Sequence, residues 1–105
     1  MHDRRALPRA PLIASIWLRT RAGVDETRES RDISEGGLRL ERVAAPLDAL
    51  VWLMLTLPRA SGRPQGHFVA GRVVWKRLNA TGIQFIDPPP ATVRGIRDYV
   101  ESGQA

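Results

Sequence analysis

Residues 51–57 have the sequence VWLMLTL, and this run decides the fold class. Every second residue in it is a branched aliphatic, namely Val51, Leu53, Leu55 and Leu57. Successive side chains of a β-strand point to opposite faces of a sheet, so this spacing predicts a strand with one buried face. The flanking stretches VAAPLDA and PRASGRPQG contain the proline and glycine residues that are typical of loops. We therefore predict a strand bounded by two loops.

Similar alternation occurs on both sides of this strand. It begins at Leu12, at Val24 and at Leu38 before the strand, and it is found in HFVAGRVVWKR (residues 67–77) and TGIQFI (residues 81–86) after it. Short strands at near-regular spacing, separated by turns, favour an antiparallel barrel over a parallel sheet. We therefore predict an all-β fold, a six-stranded antiparallel β-barrel.

The last segment of the chain changes to a helical period. Val93, Ile96 and Val100 recur at the spacing of one helix face, and Asp87 with the prolines after it supplies a start signal. We predict a C-terminal α-helix of about three turns that packs against the barrel or covers one end of it.

The length of 105 residues allows one compact core but not two. We predict a flexible arginine-bearing arm over residues 1–11, followed by a barrel domain with its helix over residues 12–105. The chain has no cysteine, which excludes disulfides, thiolate catalysis and Cys-based zinc sites. No stretch approaches the roughly 20 apolar residues that cross a bilayer, so we predict a cytoplasmic protein without membrane insertion.

The charge balance favours an anionic partner. There are 16 basic and 11 acidic residues, giving a net charge of +5, and every basic residue except Lys76 is an arginine. A biased genome would produce the same excess, so the positions of the arginines must decide. Nucleic acid is an unlikely partner, because aromatic residues make up only 6% of the chain and the tryptophans form no evident stacking row.

Three arginines near the N-terminus, Arg4, Arg5 and Arg9, form the pattern RRxxxR. Guanidinium groups bind phosphate oxygens in pairs and stack on purine rings. The spacing alone is weak support, because an arginine-rich chain contains such pairs by chance, and Arg59 and Arg63 form a second one. A solvated basic tail therefore stays open as an alternative.

The segment DISEGG, residues 32–37, forms the pattern DxSxxG, which is much rarer by chance. One interpretation is a strand-to-strand turn in which Asp and Ser hydrogen-bond nearby backbone and glycine takes a positive φ. The other is a ligand site: Asp32 can accept hydrogen bonds from a guanine edge, and Ser34 and the glycine amides can reach phosphate or base. An arginine fork can donate to guanine O6 and N7, so the two patterns complement each other toward one guanine nucleotide.

Four segments, RRALPR, DISEGGLRL, GRVVWKR and TGIQFID, resemble the PilZ family over nearly the whole chain. The resemblance implies a six-stranded antiparallel barrel with a C-terminal helix, no catalytic activity, no cofactor, and cyclic di-GMP as the ligand. It implies that the ligand is contacted by Arg5 and Arg9, by the preceding Arg4, and by Asp32, Ser34 and Gly37. Two additional candidates are Gly36 and Trp75, although strand parity with Val69 and Val73 favours core packing for Trp75.

These patterns together predict a cyclic di-GMP receptor that orders its arm on ligand binding and signals to an unidentified partner protein. The alternative is a nucleotide-independent PilZ-fold interaction module in pilus or motility machinery. An enzyme is disfavoured, because no nucleophile constellation, acid/base pair or phosphate loop is present. His2 and His67 have no partner at metal-ligand spacing, so no metal site is predicted.

Overall fold

The computed structural model describes residues 14–30, 32–59 and 62–104, with side chains described as far as residue 101. These residues form seven strands and one helix: β1 (Ala14–Thr20), β2 (Asp25–Ser30), β3 (Asp32–Ile33), β4 (Gly37–Glu41), β5 (Leu50–Leu57), β6 (Gln65–Lys76), β7 (Ala80–Ile86) and α1 (Pro90–Gln104). The strands form a curled antiparallel sheet in the order β2-β1-β5-β6-β7-β4-β3. The predicted all-β, barrel-like class with a C-terminal helix is confirmed.

The structure has seven strands where six were predicted, because the second predicted strand is divided. The stretch VDETRESRDIS contains β2 and β3 on the two sides of residue 31, which lies outside the described residues. The two strands pair with different partners, since Ser30 lies opposite Ala14 of β1 and Asp32 lies opposite Arg39 of β4. One stretch of chain therefore supplies both edges of the sheet.

Polar contacts tie β2 to the opposite side of the curl. The carboxylate of Glu26 accepts a hydrogen bond from the Ala44 amide at 2.8 Å, in the loop that follows β4. Arg28 donates to Glu26 at 3.0 Å and to the Arg42 carbonyl at 3.2 Å. These bonds hold β2, at one edge of the sheet, against the loop that follows β4.

The core lies on the inner face of the curled sheet. It is formed by alternate, inward-facing residues along the strands, including Ala14, Ile16, Leu18, Leu38, Leu40, Val51, Leu53, Leu55, Leu57, Val73 and Ile83. The aliphatic residues of VWLMLTL are all buried, as their spacing predicted. Burial of these side chains is the main term that stabilises the barrel.

Helix α1 packs on β5 and β6 with a face slightly rotated from the predicted one. The buried residues are Thr92, Ile96 and Tyr99, at i, i+4 and i+7, whereas Val93 and Val100 are only partly buried. No helix among the described residues is long and apolar enough to cross a membrane.

Candidate functional site

The DxSxxG segment forms a tight hairpin between β3 and β4. The Ser34 amide donates to the Gly37 carbonyl at 2.8 Å, and the Gly37 amide donates back to the Ser34 carbonyl at 3.4 Å. Glu35 and Gly36 form the two-residue tip between these bonds. The Ser34 hydroxyl also lies 3.4 Å from the Gly37 carbonyl oxygen. The turn predicted from the motif is therefore present in the structure.

The glycine of this motif is required by a close approach and not by its φ angle. A Cβ on Gly37 would overlap the carbonyl oxygen of Ile83 on β7, which pairs with β4. Neither Gly36 nor Gly37 has a positive φ, so the expectation of a left-handed glycine here is wrong. A Cβ on Gly36 would meet only the Ser34 hydroxyl, at 4.0 Å. The glycine at position 37 therefore allows β7 to pair closely with β4.

The carboxylate of Asp32 is exposed on the outer face of the sheet. Its backbone amide is held by the Ser30 hydroxyl at 3.3 Å, and that hydroxyl donates to the Arg39 carbonyl at 2.8 Å. The side chain makes a long ion pair with Arg39, with 3.8 Å between Nε and Oδ2. An exposed pair at this distance contributes little. The backbone of Asp32 is therefore fixed while its carboxylate stays available to a ligand.

Trp75 lies on the outer face, so the prediction of core packing is wrong. The pairing of β6 with β7 is irregular between Val73 and Trp75, where a β-bulge shifts the register. A bulge inserts one unpaired residue and reverses the parity of the positions after it. Val74 and Trp75 are consequently both exposed, and the Trp75 indole lies over Gly82 of β7 with 36% of the residue accessible.

The structure brings the described candidates together in one open depression of about 540 Å³. Its lining includes Asp32, Ser34, Gly36, Gly37 and Trp75, together with Arg39, Gly82 and Gln84, which the sequence did not single out. Strand parity could have found Arg39, because Leu38 and Leu40 on either side of it point inward. The volume falls within the range of about 300–1,000 Å³ that is typical of small-molecule sites.

The three arginines of the predicted arm, Arg4, Arg5 and Arg9, lie outside the described residues, and so does the whole of the predicted arm. The described chain starts at Ala14, which pairs with Ser30 across β1 and β2. Ser30 precedes Asp32 by two residues, so the N-terminal segment enters the sheet close to the DxSxxG turn. The roles of the arginines and the division at residue 11 stay predictions.

The tip of the turn carries an ion pair with α1, and neither of its two residues lines the depression. Arg97 of α1 donates to both carboxylate oxygens of Glu35, at 3.1 and 3.0 Å. These hydrogen bonds lower the pKa of Glu35 and raise the pKa of Arg97. Within the described ranges, no group of three metal-ligating side chains occurs.

A DxSxxG hairpin and an exposed tryptophan line one open depression on a small curled sheet with a C-terminal helix, and this makes the chain a barrel-like β-domain. Comparison with protein families agrees, since residues 3–102 match the PilZ domain. The chain belongs to the PilZ family, whose domains generally bind cyclic di-GMP and act as effectors, not as catalysts. A comparison with curated proteins finds no match.

Proposed function

We propose that this protein is a cyclic di-GMP receptor in which the DxSxxG turn and the arginine arm hold the ligand together. The observation that carries the proposal is the convergence of Asp32, Ser34, Gly37 and Trp75 on one open depression. Asp32, Ser34 and Gly37 belong to one hairpin, whereas Trp75 lies on β6, far from them in sequence, so the meeting of the hairpin with Trp75 is a property of the fold.

The chemistry of the depression suits a guanine nucleotide. The Asp32 carboxylate can accept two hydrogen bonds from the N1 and N2 hydrogens of guanine, while the Ser34 hydroxyl can serve a phosphate or a base. The Trp75 indole offers a flat surface on which a purine can stack. Arg39, which also lines the depression, adds a guanidinium that can turn from its long ion pair toward a phosphate.

The arm completes the site in this proposal. Arg4, Arg5 and Arg9 lie 10, 9 and 5 residues before Ala14, which lies opposite Ser30, two residues before Asp32 of the motif. An extended residue spans about 3.3–3.6 Å, so this tether is long enough to fold back over the depression. The ligand favours the closed arrangement because it forms contacts there that the open one lacks. A partner protein, still to be identified, would recognise the closed form, and a cytoplasmic location stays a prediction.

The direct test is isothermal titration of the purified protein with cyclic di-GMP, with cyclic di-AMP and GTP as controls. We expect selective binding of cyclic di-GMP. The stoichiometry distinguishes one bound ligand from a stacked pair, and the extra guanidinium of Arg4 would favour the pair. Equal binding of all three nucleotides would reject guanine recognition by Asp32. Absence of binding would reject the proposal that the protein is a cyclic di-GMP receptor.

A nucleotide-independent interaction module is the second candidate function. The outer face of β1, β5 and β6 carries Trp17, Trp52, Met54 and Phe68 at neighbouring cross-strand positions. Phe68 is 66% exposed and Trp52 is 44% exposed. Contiguous apolar surface of this kind marks protein interfaces. Under this candidate, a purified partner would bind equally well with and without cyclic di-GMP, and substitution of Phe68 would weaken that binding.

A further inference from the structure

The outer face of β1, β5 and β6 carries a continuous patch of exposed and half-exposed apolar side chains. In the sheet register, Trp17 lies opposite Met54, and Met54 lies opposite Phe68. Trp52 and Ala70 form the next row of the same face. Phe68 and Trp52 are the most accessible members of the group. Aromatic side chains and methionine are enriched in protein interfaces, so the composition of this patch suits contact with another protein.

An acidic and a basic residue lie at opposite corners of this patch. Glu29 of β2 belongs to the row that reaches Thr56 of β5, whereas Arg72 of β6 lies opposite Leu50 of the same strand. Both charged side chains are exposed. Since strands rise about 3.3 Å per residue and lie about 4.8 Å apart, the two rows are about 20 Å apart and β2 is about 14 Å from β6. The diagonal between the two corners is therefore about 25 Å long.

The middle of this diagonal lies within the apolar patch. It falls between β1 and β5, next to the outward side chains of Trp17, Trp52 and Met54. A two-fold axis through this point, in the plane of the face and perpendicular to the diagonal, places Glu29 of each copy against Arg72 of the other. The same axis brings the aromatic side chains of the two copies together. The face is therefore complementary to itself, as a symmetric dimer requires.

The other outward charges of the face already neutralise each other. Arg19 donates to both carboxylate oxygens of Asp25, at 2.7 and 3.0 Å. In the described part of β1, β2, β5 and β6 before its bulge, the outward charges are this pair together with Glu29 and Arg72, so they balance. An anionic membrane or nucleic acid would require a basic surface. Balanced charges favour a protein partner, and their diagonal placement favours a second copy of this chain.

We propose that two copies of this chain pair through the outer face of β1, β5 and β6, with Glu29 of each copy against Arg72 of the other. This pairing goes beyond the proposed function and does not depend on it, because no residue of the patch and neither corner residue lines the depression. The corners enclose about 14 by 20 Å, which is less than the roughly 800 Å² per partner of a typical stable complex. We therefore expect a reversible dimer that dissociates on dilution.

The first test is sedimentation equilibrium of the purified protein over a wide concentration series. We expect the parent to pass from monomer to dimer as its concentration rises. Phe68→Ser should raise the dissociation constant of the dimer about tenfold or more, because the symmetry removes this anchor twice. Leu78→Ser is the matched control and should leave the constant unchanged, since Leu78 lies between β6 and β7, outside the patch, and is 81% exposed. Both variants should fold, because both side chains are exposed.

The second test exchanges the two corner charges. Glu29→Arg and Arg72→Glu should each raise the dissociation constant about tenfold or more, because each places two like charges together at two points of the interface. The double variant should return to within about threefold of the parent, since opposite charges meet again with their signs exchanged. Glu101→Arg is the control for net charge. It makes the same change on α1, whose Ile96 packs in the inner core, and should leave the dimer intact.

Three outcomes would overturn the inference. A parent that stays monomeric at every concentration would exclude the dimer, and binding of that monomer to phosphatidylglycerol vesicles through Phe68 would assign the face to a membrane. A dimer that survives Phe68→Ser would place the contact elsewhere. A dimer that Phe68→Ser weakens, but that the double charge variant does not restore, would reject the pairing of Glu29 with Arg72. The titration with cyclic di-GMP decides the proposed function separately in every case.

Discussion

The indole of Trp75 occupies the space that a side chain on Gly82 would need, so the two residues pack across β6 and β7 without a gap. This packing holds the aromatic ring on the outer face at the edge of the depression. A tryptophan in this position is fixed by the neighbouring backbone before any ligand arrives, which lowers the entropic cost of stacking.

Trp75→Ala should weaken cyclic di-GMP binding, because it removes the flat surface on which a purine can stack. Loss of base stacking costs about 1–3 kcal/mol, or roughly five- to 150-fold in affinity. Trp52→Ala is the matched control, since Trp52 is exposed on β5 and does not line the depression. Isothermal titration checks both variants. Equal losses in the two would show that Trp75 has no particular role.

Gly37→Ala should destabilise the fold, because the new methyl group would overlap the Ile83 carbonyl and force β4 away from β7. Overpacking of this kind costs about 1–3 kcal/mol in the free energy of unfolding. Gly36→Ala, one residue earlier in the same turn, would meet only the Ser34 hydroxyl at an ordinary van der Waals distance and should change stability by less than about 0.5 kcal/mol. Urea unfolding of both variants gives the comparison. The close approach would be unimportant if the two variants were equally stable.

Arg5→Ala and Arg9→Ala should each lose charge-assisted hydrogen bonds to the ligand, worth about 1.5–3 kcal/mol, or roughly ten- to hundredfold in affinity. The control is the other RxxxR pair, with Arg59→Ala and Arg63→Ala, which lowers the net charge equally. Thermal unfolding should be unchanged in all four variants. A loss of the same size in the control pair would mean that overall charge, and not the arm, attracts the ligand.

Asp32→Ala should reduce the preference for cyclic di-GMP over cyclic di-AMP, because adenine has no N1 and N2 hydrogens for a carboxylate to accept. The affinity for cyclic di-GMP should fall more than the affinity for cyclic di-AMP. Asp25→Ala removes a carboxylate from β2, where it pairs with Arg19, and should leave the preference unchanged. Titration with both ligands measures the ratio. Parallel losses for the two ligands would argue against guanine recognition by this residue.

Stability should fall between pH 7.5 and pH 5.5 because of His67. Burial lowers the pKa of this imidazole in the folded protein, whereas the unfolded chain binds a proton near the ordinary value of about 6.5. The unfolded state therefore holds more protons in this window, so stability rises with pH and is lost as the pH falls. Thermal unfolding of the parent should show this loss, and His67→Gln should reduce it. The carboxyls with lowered pKa, Asp25 and Glu35, respond at more acid pH. A parent with the same midpoint at both pH values would contradict the assignment.

The inward residues of β1, β4 and β5 could be predicted from the sequence, because a period of two follows from strand geometry alone. The outward position of Trp75 could not be predicted in this way. The run of Val73, Val74 and Trp75 fits either parity, and only the register of β6 against β7 selects the bulge. The rotation of α1 depends in the same way on the close contact between Gly95 and His67, which are distant in sequence.

The motif turn was visible in the sequence, but the reasons for some of its residues were not. Gly37 is small because of Ile83 on β7, a contact that no local pattern encodes. Glu35 meets Arg97 at a separation of 62 residues, so its partner could not be found from spacing. Arg39 could have been added to the candidate site, because the leucines on either side of it give its outward parity and the two-residue turn sets its register with Asp32.

The sheet order has a consequence for how the site is completed during folding. Asp32 belongs to the last strand in that order, although β2 at the opposite edge almost adjoins it in sequence. The depression is complete only after β4 has paired with β7, because residues of β6 and β7 also line it, and pairings between such distant segments form slowly. A molecule that binds the whole depression would recognise the folded protein and not the unfolded chain, so the midpoint of thermal unfolding would rise with its concentration.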